Sequence, residues 1–192
     1  MVQLPASHLR DALGFVEPRF AFPQRELRIR TRSDILYCTG GKYGCSVIGL
    51  CAGDGAIPKT AEERVQNAAK IIEEADKLGI PAADIVIDPI VLTLGTEWKA
   101  AKMVLEAIRM IVDRFGVNIT MGASNVSFGM PDRENLTAFF MALSVEAGLS
   151  CPICNPLKKQ EVTALQAADL IMGRDPHGMK WIKGFRARQA AS

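Results

Sequence analysis

Four glycines, Gly79, Gly116, Gly148 and Gly173, each close a stretch of helical spacing, at intervals of 37, 32 and 25 residues. Three of them open the related segments KLGIPAADIVIDP, RFGVNITMGASN and EAGLSCPICNP: helix end, glycine, apolar residue, β-branched run, polar tip. A hairpin needs only a few linking residues. Strands separated by whole helices instead pair in parallel, each helix serving as the crossover. This internal repeat places the chain in the α/β class.

The units read as follows. The run Cys45–Leu50 precedes a helix that opens at Thr60 with Glu63 three residues on, a capping-box signature. Its apolar face is Val65, Ala68, Ala69, Ile72 and Ala75, and Gly79 stops it. The run Ile85–Ile87 ends in Asp88-Pro89, and a helix over about 97–115 follows, with Trp98, Ala101, Leu105, Ile108 and Ile111 on one face. The run Val117–Met121 leads to a helix over 133–147, and Leu149–Cys154 leads through Asn155-Pro156 to a helix that runs to Met172 and ends at Gly173.

A doubly wound sheet and a (β/α)8 TIM-type barrel both satisfy this alternation. GGKYGCS fails the P-loop pattern because tyrosine follows the lysine, and no GxGxxG follows a strand. A barrel needs eight units and about 250 residues, and four are counted, so the arithmetic suggests the C-terminal half of a barrel. The domain is expected to span 42–185, with 186–192 a tail. Residues 1–41 stand apart: six arginines, no lysine and no sustained period mark an atypical, irregular N-terminal segment expected to pack poorly on the rest. Unpaired strands on both flanks of a four-stranded sheet need cover, by a second copy in a homodimer or by a complementary half-barrel.

Composition excludes several classes. The net charge of +2 among 192 residues gives no basic excess for nucleic acid. No apolar run approaches the roughly 18 residues of a membrane span, and the N-terminus lacks a signal-peptide pattern. Five cysteines then read as reduced thiols in a cytoplasmic protein. Cys151-Pro152-Ile153-Cys154 falls in an expected strand, where the two sulfurs diverge, so buried thiols rather than a redox or metal pair are expected.

Chemistry in parallel α/β folds gathers where strands end. The polar residues there are Asp54, Asp88, Ser124, Asn125, Ser127 and Asn155. Asp88 is either a cap or a ligand acceptor. Asn125 lies among small residues that let a ligand approach the backbone, and Asn155 before proline reads as a plain cap.

IDP at 87–89, GASNVSFGMPDRENL at 122–136 and GLSCPICNP at 148–156 resemble the pterin-binding barrels, with GCSVIGL and GAIPKT adding support. The resemblance is greatest to methyltetrahydrofolate:corrinoid methyltransferases and the folate-binding module of cobalamin-dependent methionine synthase. It covers about 42–183, the fifth to eighth units. Dihydropteroate synthase shares the fold and the sixth-strand aspartate. It places a lysine after the serine at the seventh strand, where this chain has Asn125.

The resemblance implies transfer of the N5 methyl group between methyltetrahydrofolate and cobalamin carried by a partner corrinoid protein, with no metal bound by this chain. It implies that Asn125 is catalytic. An uncharged amide both donates and accepts, so it can follow N5 through protonation. Asp88 would accept from the pterin N–H groups, Arg133 would lie along the substrate, and Ile153 would pack at the pterin edge. Phe128 departs from the pattern, standing where some relatives carry a glutamine. The family's first half normally adds an aspartate and an asparagine to the pterin, so a non-catalytic, weakly pterin-binding fragment and a dihydropteroate synthase-like enzyme stay open as alternatives.

Overall fold

The structure is a computed structural model that describes residues 46–53 and 57–190. The expectations for residues 1–41 and for Asp54 fall outside the described residues. Four strands, β1 (Val47–Leu50), β2 (Ile85–Asp88), β3 (Asn118–Gly122) and β4 (Cys151–Ile153), form one sheet in the order β1-β2-β3-β4, all parallel. The crossover helices are α1 (Ala61–Lys77), α2 (Ala100–Phe115) and α3 (Arg133–Ala147). Helix α4 (Lys159–Ile171) follows β4, and α5 (Met179–Ala190) follows α4. Sequential parallel strands linked by helices are four consecutive βα units of the TIM-barrel type.

Helix boundaries follow local chemistry. Thr60 caps α1, its Oγ1 accepting the Glu63 amide at 3.1 Å, and the Glu63 carboxylate accepts the Lys59 amide at 2.6 Å. The reciprocal half of the expected box is thus shifted one residue outward. Thr60→Ala is expected to lower stability by about 1 kcal/mol, read as a lower denaturation midpoint. Helix α3 occupies the expected residues, and Gly148 ends it at φ 120°, where an added Cβ would stand 2.9 Å from Val112 of α2. Both conformation and space therefore require glycine there.

Other expectations are corrected. Trp98 is 77% exposed and lies before α2, because Glu97 Oε1 takes the Lys99 amide and delays the helix to Ala100. The Lys99 ammonium instead rests over the indole at 4.8 Å. Strand β4 is shorter than expected, three residues only. The free thiols of Cys151 and Cys154 are half-buried rather than buried, whereas Cys51 is fully buried. Helix α5 was not anticipated and runs through position 185; Asp175 holds its start by accepting the Lys180 and Trp181 amides.

The two faces of the sheet differ. Successive strand residues alternate between faces, and parallel partners in register share one. Gly49 faces α1, since an added Cβ would meet Ile71 at 2.5 Å. Its register partner Ile87 and, through Ile87, Ile119 face the helices with it, and all are buried in the core with Val104, Ile108, Ile111 and Met141. The opposite face carries Ile48, Leu50, Asp88, Thr120, Gly122 and Ile153. There Leu50 and Ile153 are 42% and 58% exposed, an open flank unusual for a parallel sheet.

Candidate functional site

Asp88 ends β2 on the open face, paired in register with Leu50. Its Oδ1 accepts the Ile90 amide at 2.9 Å, and Oδ2 has no hydrogen-bond partner among the described residues. Ile90 adopts φ +63°, a left-handed conformation rare for a β-branched residue. Burial raises the Asp88 carboxyl above its ordinary value of 3.8, and the Ile90 amide opposes the rise. The site therefore presents a half-buried carboxylate with one oxygen fixed by backbone and the other available to a donor.

Asn125 lies in a short 3-10 segment, Ala123–Ser127, directly beyond β3. The residue is exposed, and its amide folds back over Gly122, 3.4 Å from where a Cβ there would stand. A larger residue at 122 would crowd the asparagine. Gly122 pairs in register with Ile153, so Asn125, Gly122 and Ile153 adjoin on the open face. The Asn125 side chain makes no hydrogen bond to a described residue, leaving donor and acceptor both available.

The loops carrying Asp88 and Asn125 are joined. Leu94 N donates to Val126 O at 2.9 Å, and Thr93 Oγ1 donates to Phe128 O at 2.5 Å. Asp88 and Asn125 are thereby held at one end of adjacent strands.

Arg133, at the start of α3, turns back onto the loop of Asn125. Its guanidinium donates to Ser124 O at 3.2 Å and lies over the Phe128 ring at 5.4 Å. Bonded this way, it braces the loop. Ser127 is buried, sharing a 2.8 Å hydrogen bond with Thr137, so it belongs to the scaffold and not the open face. Asn155 does not cap α4 as expected: the helix begins at Lys159 behind Lys158, and Asn155 instead makes a local turn, its Oδ1 accepting the Leu157 amide at 3.0 Å.

Two residues of this region were invisible to sequence reasoning. Arg64 of α1 is fully buried and reaches the Asp88 loop, its Nε donating to Pro89 O at 2.8 Å. Ile90 takes a conformation that its residue type disfavours. Neither carries a local signal, since the Arg64 contact spans 25 residues and isoleucine is a strand former. Among the described residues no group of three or more His, Cys, Asp or Glu could hold a metal ion, and no helix is long and apolar enough to cross a membrane.

Consecutive parallel βα units with polar groups gathered at the C-terminal strand ends define an α/β protein of the barrel-enzyme class. Residues 54–155, more than half of the chain, match the family described as "Pterin binding enzyme". The chain belongs to this pterin-binding family. Over 143 residues, 73% of its length, it is 33% identical to the methylcorrinoid:tetrahydrofolate methyltransferase of Eubacterium limosum. It spans about half, 52%, of the length of that relative.

Proposed function

We propose that this chain binds a reduced folate on the open face at the β2 and β3 tips and takes part in methyl transfer between methyltetrahydrofolate and a corrinoid protein. The observation that carries the reading is the joined pair of loops, which holds an available carboxylate oxygen and an unpaired amide at one end of the sheet. The name of the Eubacterium limosum relative supports it.

The pterin ring offers an N–H and an exocyclic amino group side by side. A carboxylate accepting from them gives charge-assisted hydrogen bonds, stronger than neutral ones. Asp88 is assigned that contact, and Ile153, exposed beside Gly122, supplies an apolar edge. N5 of methyltetrahydrofolate leaves poorly as an amide-like anion and well once it carries a proton or a hydrogen bond. Asn125 is assigned the bond to N5, accepting from the protonated nitrogen and donating to the neutral one. Arg133 holds the loop on which that amide stands. The corrinoid, held by its own protein, supplies the methyl acceptor or, in the opposite direction, the methyl donor.

The test is a titration of the full chain with methyltetrahydrofolate, beside methyl transfer to a cob(I)alamin-loaded corrinoid protein followed by its absorbance. Saturable binding with transfer is expected. Binding without transfer would reduce the chain to a pterin-binding module, and no binding would overturn the reading. Phe128→Gln, which restores the residue type seen in some relatives, is expected to change affinity by no more than a few-fold. Phe128 is 66% exposed and makes its described ring contact with Arg133, so little packing is lost.

A further inference from the structure

We propose that Arg64 is a positioning residue, acting through the Pro89-Ile90 turn to hold the Asp88 carboxylate in its ligand-accepting orientation; this rests on the assignment of Asp88 above. The side chain leaves the first turn of α1 with no exposed surface. Its Nη1 donates to Thr60 O and its Nε to Pro89 O, both at 2.8 Å. The guanidinium thus ties the capped start of α1 to the peptide that follows Asp88. The Asp88 carbonyl is held from the other side by the Cys51 amide at 2.9 Å. Proline at 89 contributes a fixed φ and no competing donor.

This clamp explains why Ile90 keeps a left-handed backbone. A non-glycine residue there is strained and persists only where surrounding contacts over-determine it. The Pro89-Ile90 peptide is planar and held on both sides: its carbonyl accepts from Arg64 Nε at 2.8 Å, and its N–H therefore aims at Asp88 Oδ1 at 2.9 Å and leaves Oδ2 available. Stability alone is a poor account of Arg64. Its Nη2 is buried with no partner among the described residues, and a buried guanidinium with an unpaired nitrogen is generally less favourable than an apolar side chain. Nor does the adjacent Cys51 supply an anion: burial first, and Asp88 second, push its thiol up to about 12, so it stays protonated.

The experiment has a ligand-free arm and a binding arm, both on the full chain. In the first, amide hydrogen exchange is followed by NMR in the native protein and in Arg64→Lys, which keeps the charge but loses the fork. The Ile90 amide should exchange at least tenfold faster in the variant, while that of Ile119 in the core strand changes less than twofold. Equal acceleration at both amides, or none at Ile90, would overturn the proposal. If Arg64→Lys fails to fold, Ile90→Gly serves instead. It removes the strain and frees the turn, and should weaken methyltetrahydrofolate binding several-fold without lowering the melting temperature; unchanged affinity would overturn the proposal.

In the second arm, affinity is compared for Arg64→Lys, Asp88→Asn and the double variant. A residue acting through Asp88 should weaken binding about tenfold alone and add less than twofold on the Asp88→Asn background. Independent, multiplying losses would overturn the proposal and leave the Asp88 assignment standing. Native affinity in Asp88→Asn would instead remove the assignment itself.

Discussion

Replacing Asn125 by alanine is expected to lower the rate of methyl transfer roughly 10–150-fold while leaving methyltetrahydrofolate affinity within a few-fold of the native value. The hydrogen bond to N5 gains strength as that nitrogen acquires a proton, so it stabilises the transition state more than the bound ground state. Losing a charge-assisted bond costs about 1.5–3 kcal/mol, which gives the stated range at about 1.4 kcal/mol per tenfold. The fold offers a clean control. The Asn125 side chain is exposed and unbonded to described residues, so the substitution should change stability by less than about 0.5 kcal/mol. Measured kinetics should show lower kcat with similar KM. Equal loss of affinity and rate would take Asn125 out of the catalytic role.

Asp88→Asn should do the opposite, losing affinity about 10–100-fold with little separate effect on the chemical step. The asparagine oxygen can still accept the Ile90 amide. Its second atom then becomes an NH2 that faces ligand donors and cannot accept from them. Stability should move the other way. Because burial raises the Asp88 carboxyl above 3.8, the folded state holds a proton that the unfolded state has already released. The native protein therefore loses stability as pH climbs from the ordinary carboxylate value through the raised one. Asparagine carries no such dependence. The variant should gain on the native protein between acid and neutral pH, seen as a diverging pair of melting temperatures. Ligand binding to the native protein should weaken on acidification at a higher pH than an ordinary carboxylate would give. Identical stability–pH curves for the two proteins would contradict this account.

Strand and helix order was legible because each unit carries its own punctuation. Thr60, Gly116 and Gly148 act through neighbours a few residues away, which a linear reading captures. The positions of Asp88 and Asn125 at strand ends were likewise legible, Asp88 as a polar residue directly after an apolar run and Asn125 as one among small residues just beyond the next. Trp98 misled because helical spacing continued backwards past a turn that Glu97 stabilises. Helix α5 was missed although Asp175-Pro176 is a sound start signal, because Met179, Trp181, Ile182 and Phe185 are mixed with lysine, arginine and Gly184 rather than set in a sustained stripe. Arg64 and Ile90 lay beyond reach. One works through a contact formed only after β2 docks beside β1, and the other holds a conformation imposed by its surroundings.

The missing side chain at Gly49 fixes more than a close approach. Helix α1 lies so near β1 that a Cβ at this position would meet Ile71 at 2.5 Å. A one-residue slip of β1 would bring Ile48 or Leu50 into that gap, and neither fits. A strand with one neighbour among the described strands is ordinarily the easiest to misalign. Here the crossover helix acts as a lock that accepts a single key. Only that alignment sets Leu50 level with Asp88 and lets the Cys51 amide reach the Asp88 carbonyl. The accuracy with which the carboxylate is presented thus depends on a residue that faces the opposite side of the sheet, and on its having nothing to present.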